Sequence, residues 1–253
     1  MAITPFTPRV IRAAVFECFR FGSNISQTRG QFGDVFRAWL LASAESYNAN
    51  RRPEEQVRIE TSSWDVEHGM YPDNLENTDA IIVTGSTASA YDQEPWIIAL
   101  EKYLQDVHAQ NPRIRIYGGC FGHQLVSQAL LGQHGVRVEK SPKGWEIGVH
   151  DVRLNPKFKA AFPGLLKGQD VLSCQFLHAD HVVVPSEGLP ESWVSMGSSN
   201  LCDVQGIYQP GRVLTYQGHP EFDTFINEQA VLSLGESGTL DTKQLKDSLE
   251  LIH

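Results

Sequence analysis

Two hydrophobic rhythms succeed one another along this chain. In the first half, short apolar runs take turns with stretches whose apolar positions recur every three or four residues. The runs at residues 10–19, 56–60 and 79–84, and the segment from 113 into Cys120, read as strands. The run at 79–84 is continuous, as expected of a strand buried on both faces of a parallel sheet. Residues 32–44 set Phe32, Val35, Phe36, Trp39 and Leu40 on one helical face, an aromatic stripe that reads as core. Residues 96–110 do the same with Ile97, Leu100, Leu104 and Val107, behind Pro95 at the first helical position. A further helix is predicted at 123–131, and the polar stretches 22–33, 47–55 and 85–94 read as connections. This alternation predicts an α/β fold, a mostly parallel central sheet with helices on both faces, whose sites form at the carboxyl ends of strands.

The second rhythm is finer. Residues 136–139, 146–154, 170–177, 181–184, 193–197, 204–209 and 212–217 are short strand candidates separated by Gly, Pro, Asn and Ser. They predict a small antiparallel addition in the second half, with no linker that would set it apart as a domain. A helical pattern follows at 223–235 and a short amphipathic stretch at 239–253. The expected organisation is one domain over 10–235, an N-terminal extension at 1–9 and a C-terminal tail at 236–253.

Composition narrows the classes. With 253 residues, 41% hydrophobic and 20% charged, the chain suits a soluble globular domain. No apolar run approaches the ~20 residues of a membrane span, so no membrane partner is expected. A net charge of −9 argues against a nucleic-acid groove. Cys18, Cys120, Cys174 and Cys202 show no CxxC spacing and follow no apolar leader, which points to reduced thiols in the cytoplasm.

Two stretches carry candidate chemistry. In Gly118-Gly119-Cys120-Phe121-Gly122, glycines two positions either side of a cysteine permit a sharp strand-to-helix bend, with the thiol at its apex and helix N–H groups aimed at it. Such a helix start favours thiolate over thiol. A buried structural cysteine beside an ordinary turn is the alternative. About a hundred residues later, a strand ends at Gly218 and delivers His219-Pro220-Glu221. The carboxylate is spaced to orient the imidazole, whose other nitrogen could take a thiol proton. A His-Pro turn after an edge strand is the bland reading.

Together these stretches resemble the class I (triad) glutamine amidotransferases, whose G-x-C-x-G-x-Q elbow matches Gly118 to Gln124 and whose H-x-E element matches His219 to Glu221. The resemblance extends to Ile81 through Asp92, which is similar to the family's strand, Gly-rich loop and Ser-x-Tyr-Asp tail, and runs from about Val10 to about Phe222. It implies a flavodoxin-like fold and a Cys120–His219–Glu221 triad. It also implies an oxyanion hole from backbone N–H groups at Gly85, Ser86 and Phe121. Gln124 is implied to contact the glutamyl group, Trp145 to shape the pocket, and the turn bearing His178 and Asp180 to wall it, with Asp180 as a partner for the substrate ammonium. Ser86-Thr87 departs from the Gly-Pro of synthetase-linked members and looks more like the stand-alone branch that includes the plant γ-glutamyl peptidases.

The implied reaction is cysteine-dependent hydrolysis of a γ-glutamyl amide through a thioester. The small-molecule substrate is glutamine or a γ-glutamyl peptide such as glutathione or its conjugates, and no cofactor is expected. Ammonia transfer would call for a separate synthetase subunit as partner. A non-catalytic regulatory or assembly protein on the same fold is the reading from another class, and the presence of all three triad residues argues against it. The cluster His178-Ala179-Asp180-His181 has potential metal ligands but no second cluster to converge with, so no metal site is expected.

Overall fold

The computed structural model describes residues 8–166 and 168–253, so that nearly all of the expected N-terminal extension lies outside the described residues. In chain order the elements are β1 (Arg9–Glu17), α1 (Ser23–Arg29), α2 (Phe32–Asn48), β2 (Val57–Asp65), β3 (Ala80–Val83), α3 (Pro95–Gln110), β4 (Arg115–Gly119), α4 (Phe121–Leu131), β5 (Arg137–Lys140), β6 (Glu146–Leu154), α5 (Pro156–Ala161), β7 (Val171–His178), β8 (Asp180–Val183), β9 (Val194–Ser195), β10 (Gly197–Ser198), β11 (Ile207–Gln209), β12 (Val213–Tyr216), α6 (Thr224–Glu236) and α7 (Thr242–Glu250).

Alternation within the strands sets the layers. On one side of the sheet, Ala14, Phe16, Ile81 and Val83 pack with Leu100 and Leu104 of α3 and Leu125 of α4. On the other, Ala13, Val15 and Ile82 pack with Val35 and Phe36 of α2 and Ile226 of α6. Consecutive strand residues point to opposite faces, so a continuous apolar run is what two helical layers require. The central sheet has the order β2-β1-β3-β4-β12-β11-β9. Its first five strands are parallel, and β11 and β9 add antiparallel. Two small antiparallel sheets, β10-β6-β7 and β5-β8, complete the second half.

The departures from the sequence expectations have local causes. Residues 22–33 are not all connection: α1 forms there, and its only buried residue is Ile25, too little to leave a periodic signal. Strand β2 continues to Asp65 through polar residues because it is the sheet's edge and none of its residues is fully buried. Helix α2 likewise runs on to Asn48, and a 3-10 turn covers Pro53–Glu55. Strand β12, grouped from its length with the antiparallel addition, is instead parallel to β4 and belongs to the core sheet.

The C-terminal segment packs on the domain. Ile252 is buried with Ile147, Val231 and Leu240. The Leu251 carbonyl accepts from the Val149 N–H at 2.8 Å, and Gly148, at φ +92, leaves no room there for a Cβ, which would stand 2.5 Å from Leu251.

Candidate active site

The parallel core brings three strand ends together. Strand β4 lies between β3 and β12, with Gly118 beside Val83 and Gly119 beside Tyr216. Cys120 follows β4 directly and takes φ 51, ψ −109, the only positive φ outside glycine among the described residues. The flanking glycines make the bend possible by their lack of bulk. A Cβ on Gly118 would sit 2.4 Å from the Gly122 carbonyl oxygen, and one on Gly122 would sit 2.2 Å from that of Val83. The chain therefore turns at the one residue whose side chain the turn exposes to the strand ends. Cys120 is 6% exposed, and its Sγ lies 3.8 Å from the Leu177 carbonyl oxygen. Burial pushes Cys174 and Cys202 up to about 12 and Cys18 higher still, which keeps those three sulfurs as inert thiols.

His219 leaves the end of the neighbouring strand β12. Its N–H donates to the Gln175 carbonyl at 2.8 Å, which fixes the backbone, and its Nδ1 stands 2.8 Å from Glu221 Oε1. The ring also stacks on Phe222, with centroids 4.0 Å apart and an interplanar angle of 13°. The other face of the arrangement is fixed by Gly85 after β3. A Cβ there would meet His219 Cε1 at 3.1 Å and Cys120 Cβ at 3.7 Å, so the imidazole and the cysteine border the same small space. Burial works against a charge on this ring. Negative charge and hydrogen bonding from Cys120 and Glu221 outweigh it and push His219 up to about 10.

Around this centre lies a cavity of about 790 Å³, lined by Gly85, Ser86, Cys120, Gln124, Trp145, Leu177, His178, Asp180 and His219 among others. Phe121 is buried at the start of α4. The backbone N–H groups of Gly85, Ser86 and Phe121 have no acceptor among the described residues, whereas that of Gly122 donates to the Thr84 carbonyl at 3.1 Å. Gln124 donates through Nε2 to the Asp180 carbonyl and to Gln217 Oε1, each at 3.0 Å. His178 lines the cavity with both ring nitrogens engaged, Nδ1 on the Asp180 carbonyl and Nε2 on Glu146 Oε2, each at 2.8 Å. Burial would raise Glu146, but His178, Ser199 and Gln205 hold it below the usual carboxylate range. Asp180 accepts from Ser89 Oγ at 2.6 Å and from Tyr91 Oη at 3.3 Å. His181 lies beside Glu139 at 3.9 Å, and among the described residues no group of three or more His, Cys, Asp and Glu is placed to hold a metal.

Several contributors escaped the sequence reading. Gln217, which receives the Gln124 amide, lies one strand period before His219, and that spacing was the available clue. Phe222, Ser199 and Gln205 left no clue, because nothing local distinguishes them from core residues, whereas their partner Glu146 follows Trp145 in the stretch already linked to the pocket.

Comparison with known proteins adds relatives to this geometry. Residues 41–235 match the family described as Glutamine amidotransferase class-I. A glutamine amidotransferase-like protein of Schizosaccharomyces pombe is 32% identical over 89% of this chain and 85% of its own. Gamma-glutamyl peptidase 2 of Arabidopsis thaliana is 29% identical over 65% of this chain and 64% of its own. Among solved structures, a glutamine amidotransferase from Thermotoga maritima superposes with a TM-score of 0.64 at 19% identity, covering 96% of this chain and 90% of that one.

Proposed function

The chain belongs to the class-I glutamine amidotransferase family, and from that premise we propose that it hydrolyses the γ-amide bond of a γ-glutamyl substrate, with Cys120 as nucleophile, His219 as acid and base, and Glu221 as its orienting carboxylate. The observation that carries this reading is the meeting of a positive-φ cysteine at the end of β4 with a buried His219–Glu221 pair at the end of β12. Cys120 Sγ, its proton passed to His219, attacks the γ-carbonyl carbon. The oxyanion that forms is held by N–H groups of Gly85, Ser86 and Phe121. The C–N bond breaks as the His219 proton moves to the leaving amine. Water, deprotonated by His219, then cleaves the thioester and restores the thiol. A ring that holds its proton as strongly as His219 does supports a resting state in which the proton needed by the amine is already in place.

The γ-glutamyl peptidases among the relatives favour a free-standing hydrolase acting on γ-glutamyl peptides over a subunit that passes ammonia to a synthetase. Four unbonded cysteines fit a reducing cytoplasm, and among the described residues no helix is long and apolar enough to cross a membrane. The test is glutamate release from the purified protein given glutamine, glutathione or a glutathione S-conjugate, beside Cys120→Ser. Release from the peptides that vanishes in the variant is the expected result. Release from glutamine alone, or only with a partner added, would support the ammonia-passing alternative, and no release from any substrate would sink the hydrolase reading. Replacing His219 with Ala should lower kcat roughly 10²–10⁴-fold, the ordinary contribution of a positioned acid–base group.

A further inference from the structure

Strands β5 and β8 pair in a register that sets Val138 opposite Val182 and Lys140 opposite Asp180. Side chains two residues apart on a strand share a face. The charged pair therefore continues, at the cavity end, the same face that buries Val138 and Val182 in the core. Lys140 and Asp180 both line the cavity that holds Cys120 and His219. Directly opposed residues have Cβ atoms about 4.5–5.5 Å apart, close enough for an ion pair. None forms. Asp180 is held by the Ser89 and Tyr91 hydroxyls, one on each carboxylate oxygen. The nearby cations Arg137 and Lys143 are paired with Glu139 and Asp203, while Lys140 has no acidic partner among the described residues.

We propose that Lys140 takes the α-carboxylate of the substrate's amino-acid head beside Asp180, the ammonium partner that the family resemblance implies, so that a free head is a condition of turnover. This rests on the γ-glutamyl reading above. An α-amino acid carries opposite charges on substituents of one carbon. Its receptor needs adjacent anchors of opposite sign that have not neutralised each other. The Lys140–Asp180 pair meets that description, with the anion pre-oriented by two hydroxyls and the cation unspent. Arg20, the other strong cation on the cavity wall, does not, because it is engaged by Asp65 at 3.3 Å.

The experiment compares a γ-glutamyl anilide with its glutaryl analogue, which lacks the ammonium, and its 4-aminobutyryl analogue, which lacks the carboxylate. Binding of glutamate, glutarate and 4-aminobutyrate is followed in parallel by calorimetry. The wild-type protein should prefer the full head by roughly tenfold to a hundredfold in kcat/KM over either analogue, the worth of one charged hydrogen bond. Lys140→Met should erase the preference over the 4-aminobutyryl compound and keep that over the glutaryl one. Asp180→Asn should do the reverse, and Lys140→Arg should restore the first preference. If both variants keep both preferences while hydrolysis still depends on Cys120, the cradle is wrong and the hydrolase stands. If nothing is hydrolysed but the head preferences in binding shift as described, the cradle stands and the hydrolase is wrong. Loss of both signals in the wild-type protein overturns both.

Discussion

At the scale of single residues, the backbone at Cys120 works against its own side chain. A non-glycine residue at positive φ costs on the order of 1–3 kcal/mol and persists only where its surroundings over-determine it. Here the surroundings are the two glycines, which have no room for a Cβ, and the N–H of Cys120 bonded to the Tyr216 carbonyl at 2.9 Å. The expected signature is an inverted ranking. Cys120→Gly should be more stable than Cys120→Ala by about 1 kcal/mol in urea unfolding, the opposite of the usual penalty for glycine in regular structure. Both variants should be inactive. Equal stabilities, or a more stable alanine variant, would mean that the bend is unstrained.

At the scale of elements, most of the parallel core was legible because each strand and its covering helix carry their own signal. The run at Ile81–Val83 and the stripe from Ile97 to Val107 need no partner to be recognised. The candidate triad of Cys120, His219 and Glu221 could be picked out for a related reason, since the elbow glycines and the His-Pro-Glu spacing are local. What stayed hidden depends on distant partners. Helix α1 buries one residue, β2 buries none fully, and β12 shows its parallel pairing only once β4 is beside it. Lys140 gave no hint, because its meaning comes from register with Asp180. The C-terminal segment gave little either, yet its tie to the site is specific. Gln175 donates through Nε2 to the Ile252 carbonyl at 3.0 Å and accepts from Asn227 Nδ2, while its own carbonyl holds the His219 N–H. Ile252→Ala should cost about 2–5 kcal/mol, the range for emptying a buried aliphatic site, read as a lower urea midpoint. Initial rates well below the midpoint should stay near wild type, and a selective loss of rate without loss of stability would contradict this packing role.

At the scale of the whole molecule, the site should shape the dependence of stability on pH. His219 is raised from an ordinary value near 6.5 to about 10, so the folded state holds this proton more tightly than the unfolded chain does. Its contribution is therefore complete below about 6.5 and is lost as pH climbs through 10. Buried thiols pull the same way once unfolded cysteines begin to ionise at about 8.5, so a control is needed. Glu221→Gln removes part of the upward push on His219, and its midpoint should fall less than that of the wild-type protein between neutral pH and pH 10. Parallel curves would assign the whole decline to other groups. The neighbouring strands β4 and β12 also have an order in time. Cys120 and the Gly85 loop are synthesised long before His219, and the strand that carries His219 can dock only after the intervening small sheets have been made. Closing so long a loop is among the slow steps of folding. A nascent chain thus carries the proposed nucleophile without its proposed base, and the candidate site is complete only with the last strand of the sheet to be made.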